Sequence, residues 1–159
     1  MQKQDKQMNL KIIEAIIEDI PMLNKISIAS KKHWGYPDDW ITHWREALTI
    51  HPSNFNESTI LKAVLDNEII GFCAVCETPE NYEVLHLWLD PAYIGKGYGK
   101  ALLTKVLAQV VVLSKDIIVE ADPYAEPFYT KMGFVTFGQV AGTYPPGRVL
   151  PLMRRQAVL

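Results

Sequence analysis

The chain has 159 residues, of which 48% are hydrophobic and 21% are charged, and its formal net charge is −2 at pH 7. This length is enough to bury a core, so we expect a single domain over residues 1–159. The net charge shows none of the excess of basic residues that is typical of nucleic-acid-binding proteins. No apolar run approaches the ~20 residues of a membrane-spanning helix. The polar start MQKQDKQMNLK lacks the apolar middle of a secretory signal, so we expect a cytoplasmic protein with neither a nucleic-acid nor a membrane partner.

Predicted strands and helices alternate along the chain. NLKIIEA, EVLHLWL and IIVEA are typical of strands, and STILKAVLDNEIIGFCAVCE predicts two strands joined by a tight turn at Asp66-Asn67. Helices are predicted after Asp19, around Trp44, after a glycine-rich stretch, and in AEPFYTKMG, which Gly133 ends as a left-handed cap. FVTFGQV and RVLPLMRRQ predict two final strands. This alternation predicts an α/β fold in which a sheet is layered with helices.

The glycine-rich stretch YIGKGYGKALL lies between a predicted strand and a predicted helix, with Gly95, Gly97 and Gly99 at every second position. It is not a P-loop, which requires glycine at Ile94 and a hydroxyl at Ala101, and its spacing is not the G-x-G-x-x-G of dinucleotide-binding folds. Glycines nevertheless let the backbone approach a ligand closely, and the N–H groups that open the following helix suit a phosphate. These residues alone predict either an anion-binding loop or a simple chain reversal.

The sequence contains two blocks, LWLDPAYIGKGYGKALL and ADPYAEPFYTKMGF, that together resemble the Gcn5-related N-acetyltransferase (GNAT) superfamily. LWLDPAYIGKGYGKALL is similar to the family's acetyl-coenzyme A signature, with Ile94 where the family usually has Arg or Gln. ADPYAEPFYTKMGF is similar to its Asn-x-x-Ala…Phe-Tyr-x-x-x-Gly-Phe pattern, and IIEAIIEDIPMLNKI resembles its first strand and helix. The resemblance implies a mixed sheet of six or seven strands flanked by about four helices. Two central parallel strands, one ending at Leu89 and one at 117–121, are expected to splay apart and admit the cofactor.

The resemblance implies an acetyl-coenzyme A-dependent N-acetyltransferase. The acetyl group passes to a primary amine of a small molecule or protein by direct attack on the thioester. The resemblance assigns three groups of residues to the cofactor. They are the end of the strand before the glycine-rich loop, the loop itself, and the position where the family usually has Asn: Leu87, Trp88, Leu89, Gly95, Lys96, Gly97, Tyr98, Gly99, Lys100 and Asp122. Solvated side chains are the alternative for the two lysines. A non-catalytic acyl-coenzyme A sensor or scaffold is the alternative function, and a homodimer is an open alternative for the assembly.

Two residues are candidates for the proton transfers of such a reaction. Tyr129 matches the family position that protonates the departing thiolate, with a core aromatic as the alternative. Glu83 matches the offset of the glutamate base in the histone-acetylating branch, and strand alternation predicts that it shares a face with Leu87. An exposed glutamate at the start of a strand is the alternative. His86 is expected on the opposite face unless a bulge intervenes, and Glu120 is a further candidate for the base.

The acceptor site is expected where the first two helices meet. The resemblance implies that Trp34, Tyr36 and Trp40 line it, with core packing as the alternative for some of these aromatic residues. Arg148, in the loop GQVAGTYPPGRVLP, either pairs with an acidic group on the acceptor or braces the loop. The stretch CAVC has C-x-x-C spacing but no second cysteine pair, so we expect a buried strand there and no metal site.

Overall fold

The computed structural model describes residues 9–112 and 114–157, which form a seven-stranded sheet and five helices. Residues 1–8, most of the polar start, lie outside the described part. The strands are β1 (Leu10–Glu14), β2 (Thr59–Leu65), β3 (Glu68–Glu77), β4 (Asn81–Leu89), β5 (Asp116–Glu120), β6 (Val135–Ala141) and β7 (Val149–Arg155). The helices are α1 (Ile20–His33), α2 (Asp38–Leu48), α3 (Asn54–Glu57), α4 (Tyr98–Val110) and α5 (Glu126–Lys131). The predicted α/β class is confirmed, and only the four-residue α3 was not predicted.

The sheet is mixed, in the order β1-β2-β3-β4-β5-β7-β6. Only β4 and β5 run parallel, whereas the other neighbouring strands pair antiparallel. The β2–β3 turn is confirmed at Asp66 and Asn67, whose φ angles of 50° and 68° suit a two-residue hairpin loop. No helix in the described ranges is long and apolar enough to cross a membrane.

The two parallel strands separate part-way along their length. Their register runs from Asn81 paired with Asp116 to Val84 paired with Val119. Beyond this point β4 continues to Leu89 against β3 alone, and β5 turns away with β7. The predicted splay is therefore confirmed, and it leaves a gap in the middle of the sheet, bordered by backbone that has no strand partner across it.

The helices cover both faces of this sheet. Leu23 of α1 belongs to a buried cluster with Phe72, whereas Leu102 of α4 belongs to a larger cluster with Cys73. Phe72 and Cys73 are successive residues of β3 and therefore point to opposite faces. The gap between β4 and β5 consequently connects the α1 face of the sheet with its α4 face.

A bulge interrupts β4 next to the gap. Leu85 has no partner on β3, although the residues before and after it are paired, so the alternation of side chains is reset there. Glu83, opposite Cys76, and His86 both lie on the α1 face, whereas Leu87 packs into the cluster on the α4 face. The prediction that Glu83 and Leu87 share a face is wrong, because simple alternation does not hold across a bulge.

Candidate active site

A cleft of about 330 Å³ occupies the gap between β4 and β5. Its walls come from both strands, from the loop before α4, and from the ends of α1 and α5. The predicted residues on these walls are Trp34, Leu87, Trp88, Leu89, Gly95, Gly97, Gly99, Lys100, Asp122 and Tyr129. Glu83, Tyr36, Trp40, Lys96, Tyr98 and Arg148 lie outside them. We call the end lined by Ile94, Gly95, Gly97, Gly99 and Lys100 the glycine end, and the end lined by Ser30, Trp34, Asp122 and Tyr124 the α1 end.

The glycine end is built around the start of α4. Gly95 and Gly97 have φ angles of +81° and +89°, and no atom lies within 4 Å of the place a Cβ would take. The first helical bond runs from the Ala101 N–H to the Gly97 oxygen at 3.1 Å, so the amides of residues 98–100 have no acceptor within the helix. Gly99 serves packing instead, because a Cβ there would lie 3.3 Å from the Phe128 ring. These open amides and the positive end of the helix dipole form a site for an anion.

The two lysines of the loop differ in position. Both are exposed, but Lys100 lines the cleft, whereas Lys96 lies off its walls. Tyr98 turns toward the core and packs edge-on against Tyr93, with ring centroids 5.9 Å apart. Ile94, where the family usually has Arg or Gln, contributes an apolar wall. Charge at this end therefore comes from Lys100, and the other contacts are apolar or from the backbone.

Tyr129 belongs to both the core and the cleft. Its ring is 5% exposed and packs edge-on against Phe128 and Phe134 at 5.2 and 5.3 Å. The hydroxyl has no hydrogen-bond partner among the described residues. Every side-chain nitrogen or oxygen that is fully buried there does have a partner, so the Tyr129 hydroxyl is not fully buried and reaches the cleft that Tyr129 lines. Burial, and next the nearby Cys73 thiol, raise the pKa of Tyr129 above its ordinary value. The phenol therefore stays protonated and can donate a hydrogen bond into the cleft.

The two candidate carboxylates, Glu83 and Glu120, lie on either side of the point where β4 and β5 separate. Glu120 is exposed, follows the last paired residue of β5 and lines the cleft. Glu83 pairs with Ile118 within the joined part of the strands and lies off the walls. Both side chains point to the α1 face, since parallel partners share a face. In the described ranges, no group of three or more His, Cys, Asp or Glu side chains is placed to hold a metal ion.

His86 lines the cleft as a neutral imidazole with a defined tautomer. The Trp88 indole donates a hydrogen bond to His86 Nδ1 at 3.0 Å. Because an indole nitrogen only donates, Nδ1 carries no proton, and the proton of the neutral ring is on Nε2. Burial lowers the pKa of His86 to about 4. At neutral pH this residue is therefore a hydrogen-bond donor through Nε2.

Four side chains form a polar and ionic cluster next to the α1 end, which we call the Asp122 cluster: Lys31, Tyr36, Asp122 and Arg148. Of these, Asp122 lines the cleft and the other three lie off its walls. Asp122 Oδ1 accepts from the Tyr36 hydroxyl at 3.0 Å and from the Tyr124 backbone N–H at 2.9 Å. Asp122 Oδ2 accepts from the Lys31 ammonium, and Arg148 Nη2 lies 3.6 Å from the same oxygen. Burial raises the pKa of Tyr36 to about 12. The carboxylate of Asp122 is thus fully engaged by protein groups.

Aromatic rings surround this cluster. Trp34 stacks on Tyr124 with centroids 5.2 Å apart and planes 4° from parallel, and both rings line the cleft. Tyr36 and Trp40 stack at 5.9 Å behind this pair, and Tyr36 meets the buried Trp44 edge-on at 4.9 Å. Of the three aromatic residues predicted for the acceptor site, Trp34 therefore faces the cleft directly, and the other two form a second layer.

The sequence and the fold were compared with protein-family models and with solved structures. A family model of the acetyltransferase (GNAT) domain matches residues 41–142. The PaiA N-acetyltransferase of Thermoplasma acidophilum, solved in complex with coenzyme A, is 23% identical, with a TM-score of 0.71 over 92% of this chain and 98% of that one. The histone acetyltransferase HPA2 and related acetyltransferase of Corynebacterium glutamicum is 18% identical, with a TM-score of 0.73 over 96% and 98%.

A third solved structure is Arabidopsis thaliana Naa50 in complex with the bisubstrate analogue CoA-Ac-MVNAL. It is 14% identical, with a TM-score of 0.69 over 93% of this chain and 99% of that one. No curated protein matches the sequence. The likenesses to solved structures show a shared fold, and the family model covers more than half of the sequence. The chain therefore belongs to the GNAT acetyltransferase family.

Proposed function

We propose that this chain moves an acetyl group from acetyl-coenzyme A to a primary amine, which attacks the thioester directly. The observation that carries this proposal is the cleft between β4 and β5, because it joins an anion site on one side to a polar, aromatic site on the other. Membership of the GNAT family supports acetyl transfer in general. Structural neighbours bound to coenzyme A or to a bisubstrate analogue with a peptide portion support the co-substrate and the amine.

The glycine end fits the pyrophosphate of coenzyme A. The open space beside Gly95 and Gly97 lets an anion approach the amides of residues 98–100, and Lys100 adds a positive charge. The backbone of residues 85–89 has no strand partner on its β5 side, and this edge suits an extended arm that carries amide groups. When bound, the co-substrate supplies an activated acetyl group on a thiol leaving group.

The middle of the cleft provides the donors that acyl transfer needs. Negative charge develops on the carbonyl oxygen, and backbone N–H groups of residues 87–89 that face the gap are fixed there to receive it. The protonated Tyr129 hydroxyl donates to the departing thiolate. Its raised pKa keeps the hydroxyl protonated, so it is present as a hydrogen-bond donor when the carbon–sulfur bond breaks.

An amine substrate must also lose a proton, because a simple primary amine is protonated at neutral pH. Glu120 lines the cleft on the α1 face, where the acceptor enters, and we assign proton acceptance to its carboxylate, directly or through one water. Glu83 lies on the same face below the gap, so any role as the base requires a longer water chain.

The test is thiol release with purified protein, acetyl-coenzyme A and a panel of amines, with the acetylated product identified by mass spectrometry. We expect amine-dependent thiol release and equal amounts of both products. Glu120→Gln should reduce turnover with little change in affinity for acetyl-coenzyme A, and Glu83→Gln is the matched control. A protein that acetyl-coenzyme A stabilises against heat, but that releases no thiol with any amine, is a sensor and contradicts the proposal.

A further inference from the structure

The Asp122 cluster contains more positive than negative charge. Lys31 and Arg148 lie against one and the same oxygen of Asp122, and neither has a second carboxylate partner among the described residues. The side chains of Lys31 and Arg148 are only 9% and 12% exposed. Burial lowers the pKa of Lys31 although Asp122 opposes this, so one carboxylate does not compensate for the loss of water. A buried excess charge of this kind favours the binding of a further anion.

Donors without protein partners accompany this excess charge. Ser30 is 5% exposed and lines the cleft, and its hydroxyl has no hydrogen-bond partner in the described ranges. Arg148 makes one hydrogen bond there, from Nη2 to the Tyr36 hydroxyl at 3.1 Å, while its guanidinium rests 4.5 Å from the Trp44 ring centroid. The other guanidinium N–H groups have no hydrogen-bond partner in the described ranges, although Arg148 itself lies off the cleft walls.

A negative group lies at a short distance from these donors. Glu120 precedes Asp122 by two residues, so their Cα atoms are at most about 7 Å apart. Glu120 and Asp122 both line the cleft. The α1 end therefore presents the Glu120 carboxylate and the Ser30 hydroxyl to the cleft, while Lys31 and Arg148 contact Asp122 from outside the cleft walls.

We propose that the acceptor is a primary amine that also carries a carboxylate a few bonds away, as amino acids do. Its carboxylate accepts a hydrogen bond from the Ser30 hydroxyl next to the Asp122 cluster, whose positive charge attracts it, and its amine faces Glu120. The added carboxylate neutralises the excess positive charge of the Asp122 cluster. The distance between this cluster and Glu120 selects molecules that carry both a carboxylate and an amine. This inference rests on the proposed function and specifies its substrate class.

The experiment compares kcat/KM for matched acceptors: leucine against leucinamide, phenylalanine against phenylalaninamide, and 4-aminobutyrate against 4-aminobutanamide. We expect at least one acid to exceed its amide by about 10- to 100-fold, the effect of one charge-assisted hydrogen bond. The pair that shows the largest ratio identifies the preferred spacing of amine and carboxylate. Amides that react as well as their acids overturn this inference and leave the proposed function standing, whereas thiol release with neither class contradicts both.

The variant Arg148→Gln tests whether the positive charge of the Asp122 cluster attracts the carboxylate. It should raise KM for the acid more than it lowers kcat, and it should reduce the acid-to-amide ratio to within about threefold. Arg154→Gln is the matched control, because it also removes a guanidinium that pairs with an aspartate, Asp116, but on an exposed part of the sheet and outside the Asp122 cluster. Ser30→Ala provides a second, milder variant if Arg148→Gln does not fold. A folded Arg148→Gln protein that keeps the full ratio shows that Arg148 only braces its loop, and it overturns the assignment.

Discussion

Replacement of Gly97 by alanine separates backbone strain from ligand contact at the glycine end. Gly97 precedes α4 with φ +89°, so alanine there costs about 1–2 kcal/mol of stability through its left-handed conformation. The new methyl group would meet no protein atom within 4 Å, so it enters the space from which an anion must approach the α4 amides. Loss of one charge-assisted hydrogen bond, worth about 1.5–3 kcal/mol, weakens acetyl-coenzyme A binding by about 10- to 150-fold.

Gly35 is the matched control for this substitution. Its φ is +84°, a Cβ there also meets nothing within 4 Å, and it lies off the cleft walls. Both alanine variants should therefore lose similar stability in denaturant titrations, and only Gly97→Ala should lose affinity by calorimetry. Wild-type affinity in a folded Gly97→Ala protein, or an equal loss in Gly35→Ala, would refute the assignment of the loop amides to the phosphates.

Three further outcomes are expected. Tyr129→Phe should lower turnover by roughly 10²–10⁴-fold with little change in cofactor affinity, since the hydroxyl is needed only as the thiolate leaves. An unchanged rate, measured where chemistry limits turnover, would show that Tyr129 serves only as an aromatic residue of the core. Trp34→Ala should raise KM for the amine far more than KM for acetyl-coenzyme A, because Trp34 stacks on Tyr124 at the α1 end. Equal increases in the two KM values would show that Trp34 supports the core rather than the acceptor. The pKa of His86 is about 4 when folded and about 6.5 when unfolded, so the unfolded chain takes up the proton first as the pH falls. The free energy of unfolding should thus fall by up to about 3 kcal/mol from pH 6.5 to 4, and His86→Gln should remove that drop; its persistence in the variant contradicts the assignment.

Local sequence pattern was sufficient to predict most of the fold. The strands and longer helices follow from residue periodicity and from turn residues such as Asp66-Asn67 and Gly133, because these signals act over a few neighbouring residues. The position of the loop glycines likewise follows from their order between a strand and a helix. The bulge at Leu85 does not, since it depends on the register of β4 against β3.

The candidate site was predicted less completely, because much of it depends on contacts between distant segments. The Asp122 cluster joins residues that are 91 and 112 positions apart, and Lys31 is one of two adjacent lysines whose sequence carries no sign of burial. The choice between Glu83 and Glu120 depends on where β4 and β5 separate, which is a property of the sheet. Glu120 was among the residues predicted as candidates for the base, whereas no sequence signal indicated Ser30.

Direct transfer within the cleft is tested most directly by a single-turnover experiment. Protein in excess is mixed with acetyl-coenzyme A labelled in the acetyl group and with a reactive amine, and the label is followed after rapid quenching. We expect the label to pass from the thioester to the amine, with one thiol released per acetylated amine and no label on the protein at any time. Label that accumulates on the protein before it reaches the amine, or that never reaches an amine, contradicts direct attack across the gap between β4 and β5.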